Sequence, residues 1–262
     1  MARNVRRFAG CVAPSAAFVF LSAAPAPAQT PAPDAAGQPF IRRVVELANL
    51  ERRKAGLPPL KLQTDLVKSA EWLALDMTAN SYFSHTDHQG RTMDKRIPEI
   101  GYTPFSALGE NIAAGQQKPE SVVEAWMKSP GHRQNILSPL FWEVGVAVAR
   151  PADGPIKSFW VADFGTRADA YPIVLDLESG TTTSDVVKLH IYGAGIIEKY
   201  RLRNDSGPWT PWQTYRADID WTLAPGTGGH TVFAELTDGG QVYHSEDTIE
   251  VKPVVPELHA SK

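Results

Sequence analysis

The chain has 262 residues, 43% hydrophobic, 21% charged and 9% aromatic, with a formal net charge of −3. This composition excludes wholesale disorder, collagen and coiled coil, and the near-neutral charge gives no electrostatic reason to expect nucleic acid as a partner. No apolar run reaches the roughly 18 residues of a membrane span. The one cysteine, Cys11, excludes an intramolecular disulfide and a cysteine-based zinc site.

The N-terminus reads as an address. Arg3, Arg6 and Arg7 precede an apolar stretch from Phe8 to Ala24, and Ala26-Pro27-Ala28 places small residues where a leader is cut. The order predicts a signal peptide over residues 1–28 and a secreted or periplasmic protein. Phe8-Ala9-Gly10-Cys11 is a poor lipoprotein box, because its apolar stretch follows the cysteine. Arg6-Arg7-Phe8 alone is a weak twin-arginine signal. The Ala/Pro/Gln/Thr composition of residues 29–38 predicts a flexible linker.

Helical spacing begins at Phe40, with Ile41, Val44, Val45 and Ala48 on one face, and stops near Gly56. A second helix carries Leu66, Ala70, Leu73 and Met77, with Thr64 or Asp65 as its N-cap. A third starts at Pro119, carries Val122, Val123, Trp126 and Met127, and is ended by Ser129-Pro130-Gly131. The period then changes to two. Val144, Val146 and Val148 alternate, as do Phe159 with Val161 and Trp160 with Ala162 and Phe164, which predicts two strands flanking a turn at 151–155. Residues 39–168 are therefore expected to form one α/β layered domain.

After Tyr171-Pro172 only short β-rich runs recur: Ile173–Leu177, Val186–Tyr192, Ile196–Leu202, Ile219–Leu223, Thr231–Leu236 and Gln241–Val251, separated by Gly-, Asp- and Pro-rich turns. They predict an all-β sandwich over 171–253 and a tail at 254–262. The two regions are expected to part near 166–171, with residues 38–168 folding alone.

Four segments of the first region could carry chemistry: Tyr82-Phe83-Ser84-His85, Gly109-Glu110-Asn111-Ile112, Glu124-Ala125-Trp126, and Ser129 to Leu137 around His132. Two imidazoles and a carboxylate suit a divalent metal with an open coordination position. Spacing alone does not bring His85 and His132 together, and by periodicity each reads as a loop or hydrogen-bonded structural histidine before a ligand. Ser129 near His132 suggests a nucleophile, but no G-x-S-x-G turn is present and helix termination is its simpler role. Asn111 is expected to fix the Gly109–Glu110 segment, and His88 to be an exposed loop residue. Trp72, Trp126, Trp142 and Trp160 lie in apolar patterns and are expected in the core.

The ordered set Phe83-Ser84-His85, Gly109-Glu110-Asn111-Ile112, Trp126-Met127-Lys128-Ser129-Pro130-Gly131-His132-Arg133, Asn135-Ile136-Leu137 and Val144-Gly145-Val146 resembles the CAP superfamily, named for cysteine-rich secretory proteins, antigen 5 and pathogenesis-related 1, in its disulfide-free bacterial branch. The resemblance implies an α–β–α sandwich with a cleft where two histidines and acidic residues converge, and where some members bind a divalent cation and others sterols or lipids. His85 matches the first family histidine, Glu110 the glutamate of the Gly-Glu-Asn motif and His132 the second histidine. These three are the candidate metal ligands, for a cation such as zinc, and Glu110 and His132 the candidate catalytic residues. Eukaryotic members carry a second glutamate where this chain has Ser129. Glu124 lies five residues before that position, roughly 140° around a helix, and does not simply replace it. Glu124, Ser129 and Asn111 remain cleft-associated candidates.

The second region resembles immunoglobulin-like or fibronectin-like modules at Tyr200–Asp205, Trp209-Thr210-Pro211-Trp212, Trp221-Thr222-Leu223 and Thr231–Ala234. Trp209, Trp212 and Tyr215 form either a stacking platform for sugar or, as favoured, packing under a turn. The combined reading is an extracellular binding module whose cleft takes a divalent cation and a lipid-like or small apolar ligand. Two alternatives stand beside it: a metal-dependent hydrolase in which Glu110 is ligand or general base, and an adhesive protein that binds a cell surface or protein partner through the β-sandwich over a vestigial cleft.

Overall fold

A computed structural model describes residues 39–151 and 156–254. The expected leader and linker, and the tail beyond 254, lie outside the described residues. The first helix, α1 (Pro39–Lys54), buries Ile41, Val44, Val45 and Ala48 as its spacing predicts. A two-residue strand, β1 (Lys61–Leu62), leads into α2 (Thr64–Asn80). The cap of α2 differs from expectation: Gln63, not Thr64 or Asp65, accepts the Leu66 amide through its side chain at 2.8 Å. Its longer side chain reaches back over the first turn, which leaves Asp65 within that turn, where a carboxylate favours the helix dipole.

Two elements follow that periodicity did not reveal, α3 (Met93–Ile100) and the strand β2 (Phe105–Ala114). The third expected helix is α4 (Pro119–Lys128); Pro130 then opens a further short helix, α5 (Pro130–Ile136), instead of a loop. Proline serves both ends here, because it cannot continue α4 yet is suited to the first turn of α5. The expected pair β3 (Glu143–Ala149) and β4 (Phe159–Arg167) completes a four-stranded sheet in the order β1-β3-β4-β2.

The pleat of that sheet sorts the core into two layers. Val144, Val146, Trp160, Ala162 and Phe164 face α1, α4 and α5 together with Trp126, whereas Ile112, Ala147, Phe159 and Val161 face α2. Gly145 is where α2 comes closest. A Cβ there would stand 2.0 Å from the Leu66 carbonyl carbon, so only glycine lets helix and strand backbones meet.

From residue 173 onward the described elements are β5 (Ile173–Leu175), a 3-10 turn (Asp176–Glu178), β6 (Thr181–Thr182), β7 (Val186–Ile191), β8 (Lys199–Asn204), β9 (Gln213–Thr214), β10 (Asp218–Thr222), β11 (Gly228–Thr237) and β12 (Val242–Val251). They form two sheets, β10-β7-β5 and β6-β12-β11-β8-β9, that share one apolar cluster including Ile173, Leu189, Leu202, Val232 and Ile249. Two expected strands have an end displaced by two or more residues within the apolar run. The first stops at Leu175 because Asp176, Leu177 and Glu178 all have positive φ. The other begins at Lys199 because a turn occupies 193–197, where the amides of Ile196 and Ile197 bond the Gly193 carbonyl.

That left-handed run delivers Glu178 to the α/β layer. Its carboxylate meets Lys61 Nζ at 3.0 Å, Arg42 Nη1 at 3.2 Å and the Leu62 amide at 3.1 Å, and Lys61 also pairs with Asp247 of β12. Asn49 Nδ2 donates to the Leu177 carbonyl at 3.0 Å, and Tyr192 Oη to the Pro59 carbonyl at 2.9 Å. Burial opposes the charge on Lys61, but Asp247 and Glu178 outweigh it and hold the ammonium above its usual pKa. Lys61→Met would leave two buried carboxylates without their shared cation, and a loss of about 3–5 kcal/mol is expected in equilibrium denaturation at neutral pH. Residues 38–168 alone lack Glu178 and Asp247, so if that segment folds it should melt well below the full chain.

Candidate functional site

The site is built around β2, one of the two edge strands of the four-stranded sheet. Glu110 sits in the middle of this strand and not in a loop, with only 1% of its side chain exposed. One oxygen meets His85 Nδ1 at 2.7 Å, and His85 projects from the loop after α2 with 53% of its side chain exposed. The other oxygen takes a short hydrogen bond from Nη2 of Arg96, a buried residue of α3. Because successive strand residues point to opposite faces, the next side chain, Asn111, turns toward α5. Its Nδ2 donates to the His132 carbonyl at 3.0 Å, and Asn135 Nδ2 donates to Asn111 Oδ1 at 2.9 Å and to the Glu110 carbonyl at 3.1 Å. Two consecutive residues of one strand thus hold the two histidines, Glu110 by the ring of His85 and Asn111 by the backbone of His132.

The electrostatics follow from a count of charges in a dry place. Asp163 of β4 lies opposite Glu110 in the register of the sheet and is fully buried. Neither of its oxygens has a well-formed hydrogen bond, and Arg96 Nε and Nη1 are likewise unpartnered. Two carboxyl groups therefore share one guanidinium. Burial first, and then the charge of Glu110, holds the Asp163 carboxyl well above the usual carboxylate range, with Arg96 and Ser69 acting in the other direction. His132 is half-buried, and desolvation together with the nearby His85 pushes its pKa below the ordinary histidine value. It is therefore a neutral imidazole at pH 7. A carboxylate on Nδ1 of His85 favours the proton on that nitrogen and leaves Nε2 as the lone pair.

The other residues singled out from the sequence are dispersed. Glu124 is exposed and pairs with Lys128 at 2.5 Å on the same helix, so it does not join the histidines. Ser129 ends α4 and starts α5 without a side-chain capping bond. His88 pairs with Asp76 and stacks on Trp72 at 6.4 Å. Trp126 and Trp160 are buried, Trp142 packs on Tyr192 at 4.9 Å, and Trp72 lies under Arg91 at 4.7 Å. In the second region Trp209 carries two guanidinium groups, Arg201 at 5.2 Å and Arg203 at 5.0 Å, and Arg201 also lies over Trp212 at 4.8 Å. Tyr215 Oη donates to the Ile191 carbonyl at 2.7 Å. Arginine side chains lie over the rings of Trp209 and Trp212, but Trp212 stays 39% exposed and is not packed under a turn.

Where the sequence suggests Glu110 as a ligand, one of its oxygens meets His85 Nδ1 and the other accepts from Arg96 Nη2. Among the described residues no group of three or more His, Cys, Asp or Glu is arranged to hold a metal ion. Sequence reasoning missed Arg96 and Asp163. The signal for Asp163 was present: it shares the parity of Phe159 and Val161, a charge on the apolar face of a strand. Arg96 had none, because a lone arginine in a short helix reads as solvated.

Residues 45–164 match the family model described as CAP, the cysteine-rich secretory protein family. This segment, the layered domain that carries His85, Glu110 and His132, is a CAP domain. The chain is similar to YkwD, an uncharacterized protein of Bacillus subtilis, at 40% identity over 125 residues, covering 48% of this chain and 46% of that protein. Among solved structures, an extracellular protein containing an SCP domain from Bacillus anthracis matches at 29% identity with a TM-score of 0.43, over 48% of this chain and 40% of that one. An outer surface protein from Borrelia burgdorferi matches at 26% identity and a TM-score of 0.43, over 47% of this chain and 90% of that one. The chain spans less than half the length of the curated relatives it matches.

A stability consequence follows from Asp163. A carboxyl whose pKa is raised on folding stabilises the fold fully below its unfolded value of about 3.9, and that contribution is lost as pH rises through the folded value. Asp163→Asn keeps the shape, removes the second acid and leaves Glu110 and Arg96 as a balanced pair. Its denaturation midpoint should equal or exceed that of the wild type at pH 7, with the difference shrinking toward pH 4.

Proposed function

We propose that this protein is exported and acts as an extracellular binding module whose histidine cleft takes a divalent cation such as zinc. The observation that carries the reading is the state of the two imidazoles: desolvation and the nearby His85 hold His132 below the ordinary histidine pKa, and His85 is tied back through Nδ1 to a buried carboxylate. That is the arrangement of ligand and supporting carboxylate common at metal-binding histidines. His85 Nε2 and a ring nitrogen of His132 would hold the cation, and Glu110 would act behind His85 as its positioning residue. A bound cation would supply a Lewis-acidic point for an oxygen-bearing ligand. Phe83, 48% exposed and two residues before His85, gives the ligand an apolar surface beside it. The export reading rests on the order of arginines, apolar stretch and small residues at the N-terminus.

With two imidazole ligands and no thiolate, binding should be weaker than at a closed structural site. Calorimetric titration with zinc at neutral pH should give reversible binding that His132→Ala abolishes. Glu110→Gln should weaken it about 10–100-fold, as loss of a supporting carboxylate does, and Ser129→Ala should leave it unchanged. Affinity should fall as pH drops below about 6.5, where protons compete for the lone pairs. Equal affinity in the wild type and the His85→Ala/His132→Ala double variant would overturn the reading.

A further inference from the structure

A concavity lies away from His85 and His132, where the C-terminal end of α1 and the residues after it lean over the outer face of the β5–β7–β10 sheet. Its volume is 820 Å³, within the range of small-molecule sites. One wall is apolar and belongs to the CAP domain: Leu50, Leu57, Pro58 and Pro59. The floor is one face of the sheet, set by its register, since Val174, His190 and Asp218 stand in line across the three strands and Lys188 stands opposite Asp220. The groove also contains the strained segment, as Asp176 and Leu177 line it with φ of 38° and 62°. Strain of this kind in non-glycine residues concentrates at ligand-holding places.

The charges in the groove are unequally satisfied. Lys188 pairs with Asp220 at 2.5 Å, Asp218 with His190 at 2.8 Å, and Glu46 with Arg43 at 2.9 Å. Asp176 accepts the Lys188 amide at 2.7 Å, and burial lifts its carboxyl above the usual range. Two cations are left over. Arg53, in the last turn of α1, and Arg216, between β9 and β10, both line the groove, and neither guanidinium has an ion-pair or hydrogen-bond partner among the described residues. They come from different halves of the chain, so together they offer two separated forks for anionic oxygens. The acids on the same floor disfavour a concentrated charge such as a polyphosphate, whereas single, spaced negative charges fit.

We infer that this groove binds a ligand carrying two spaced carboxylates, one on Arg53 and one on Arg216, with its apolar part against Leu57 and Pro58. Either a free dicarboxylic acid or an acidic peptide presents that chemistry. The site is independent of the histidine cleft. The test is calorimetric titration of the full chain at low ionic strength with glutarate, with end-blocked triglutamate and with end-blocked triglutamine. At least one of the first two should bind saturably and triglutamine should not; tighter glutarate assigns the free acid as the source, and tighter triglutamate the peptide. Arg53→Gln and Arg216→Gln should each weaken binding roughly tenfold, the scale of a lost charge-assisted hydrogen bond. Their melting temperatures should be unchanged, because both side chains are exposed, and His132→Ala should bind as the wild type does. Absence of saturable binding by both acids, or equal affinity in the Arg53→Gln/Arg216→Gln double variant, would overturn the inference.

Discussion

The buried pairing of Arg96 with Glu110 is the interaction on which the cleft depends. It is made in a dry layer where an isolated charge is costly, and it leaves the second oxygen of Glu110 for His85. Without the guanidinium, Glu110 and Asp163 would face each other across β2 and β4 as two buried acids, and His85 would lose a charged partner. The arrangement also ties α3 to the sheet, so the position of a helix with few apolar contacts is set by the same bond that orients the histidine. The energy of such a pair is measured against water, where both ions are already well solvated, and its main product is geometric.

A comparable logic joins the two halves of the chain. Glu178, Lys61 and Asp247 exchange charges in a place that water scarcely reaches, and the backbone accepts three consecutive left-handed residues to put Glu178 there. Each such residue costs on the order of 1–3 kcal/mol, so the conformation persists because its surroundings determine it from several sides. Asn49 on the Leu177 carbonyl and Tyr192 on the Pro59 carbonyl are two of those sides.

Much of this was legible in the sequence where burial is periodic. Ile41 to Ala48, Leu66 to Met77 and Val144 to Val148 announced their elements because one face of each is apolar and the other is not. The strand β2 hid behind a motif: Gly109-Glu110-Asn111 places two polar residues where an alternating pattern should show one, since one serves the site beneath the sheet and the other the helix above it. The short helix α5 hid because Pro130 is read first as a terminator. The residues of the cleft were found through resemblance, and their roles through geometry: Glu110 stood out as a carboxylate suited to a metal, but only the position of Arg96 shows that its charge is already shared. Polar contacts between distant segments, such as Lys61 with Asp247, leave no local mark at all.

The two-residue strand β1 has a consequence for how the molecule is made. It pairs in parallel with β3, a partner from far along the chain, and its lysine waits for an acid on β12, the last strand described. Parallel pairing between distant segments is slow, because loop closure must be completed before the contacts repay it. During synthesis α1, β1 and α2 emerge early, and the edge of β1 stays unpaired until β3 has followed. A passing strand of another chain would find that edge unguarded in the meantime. Slow, vectorial assembly with a late-closing seam makes the interval before β12 arrives the stage at which this chain is most exposed to misassembly.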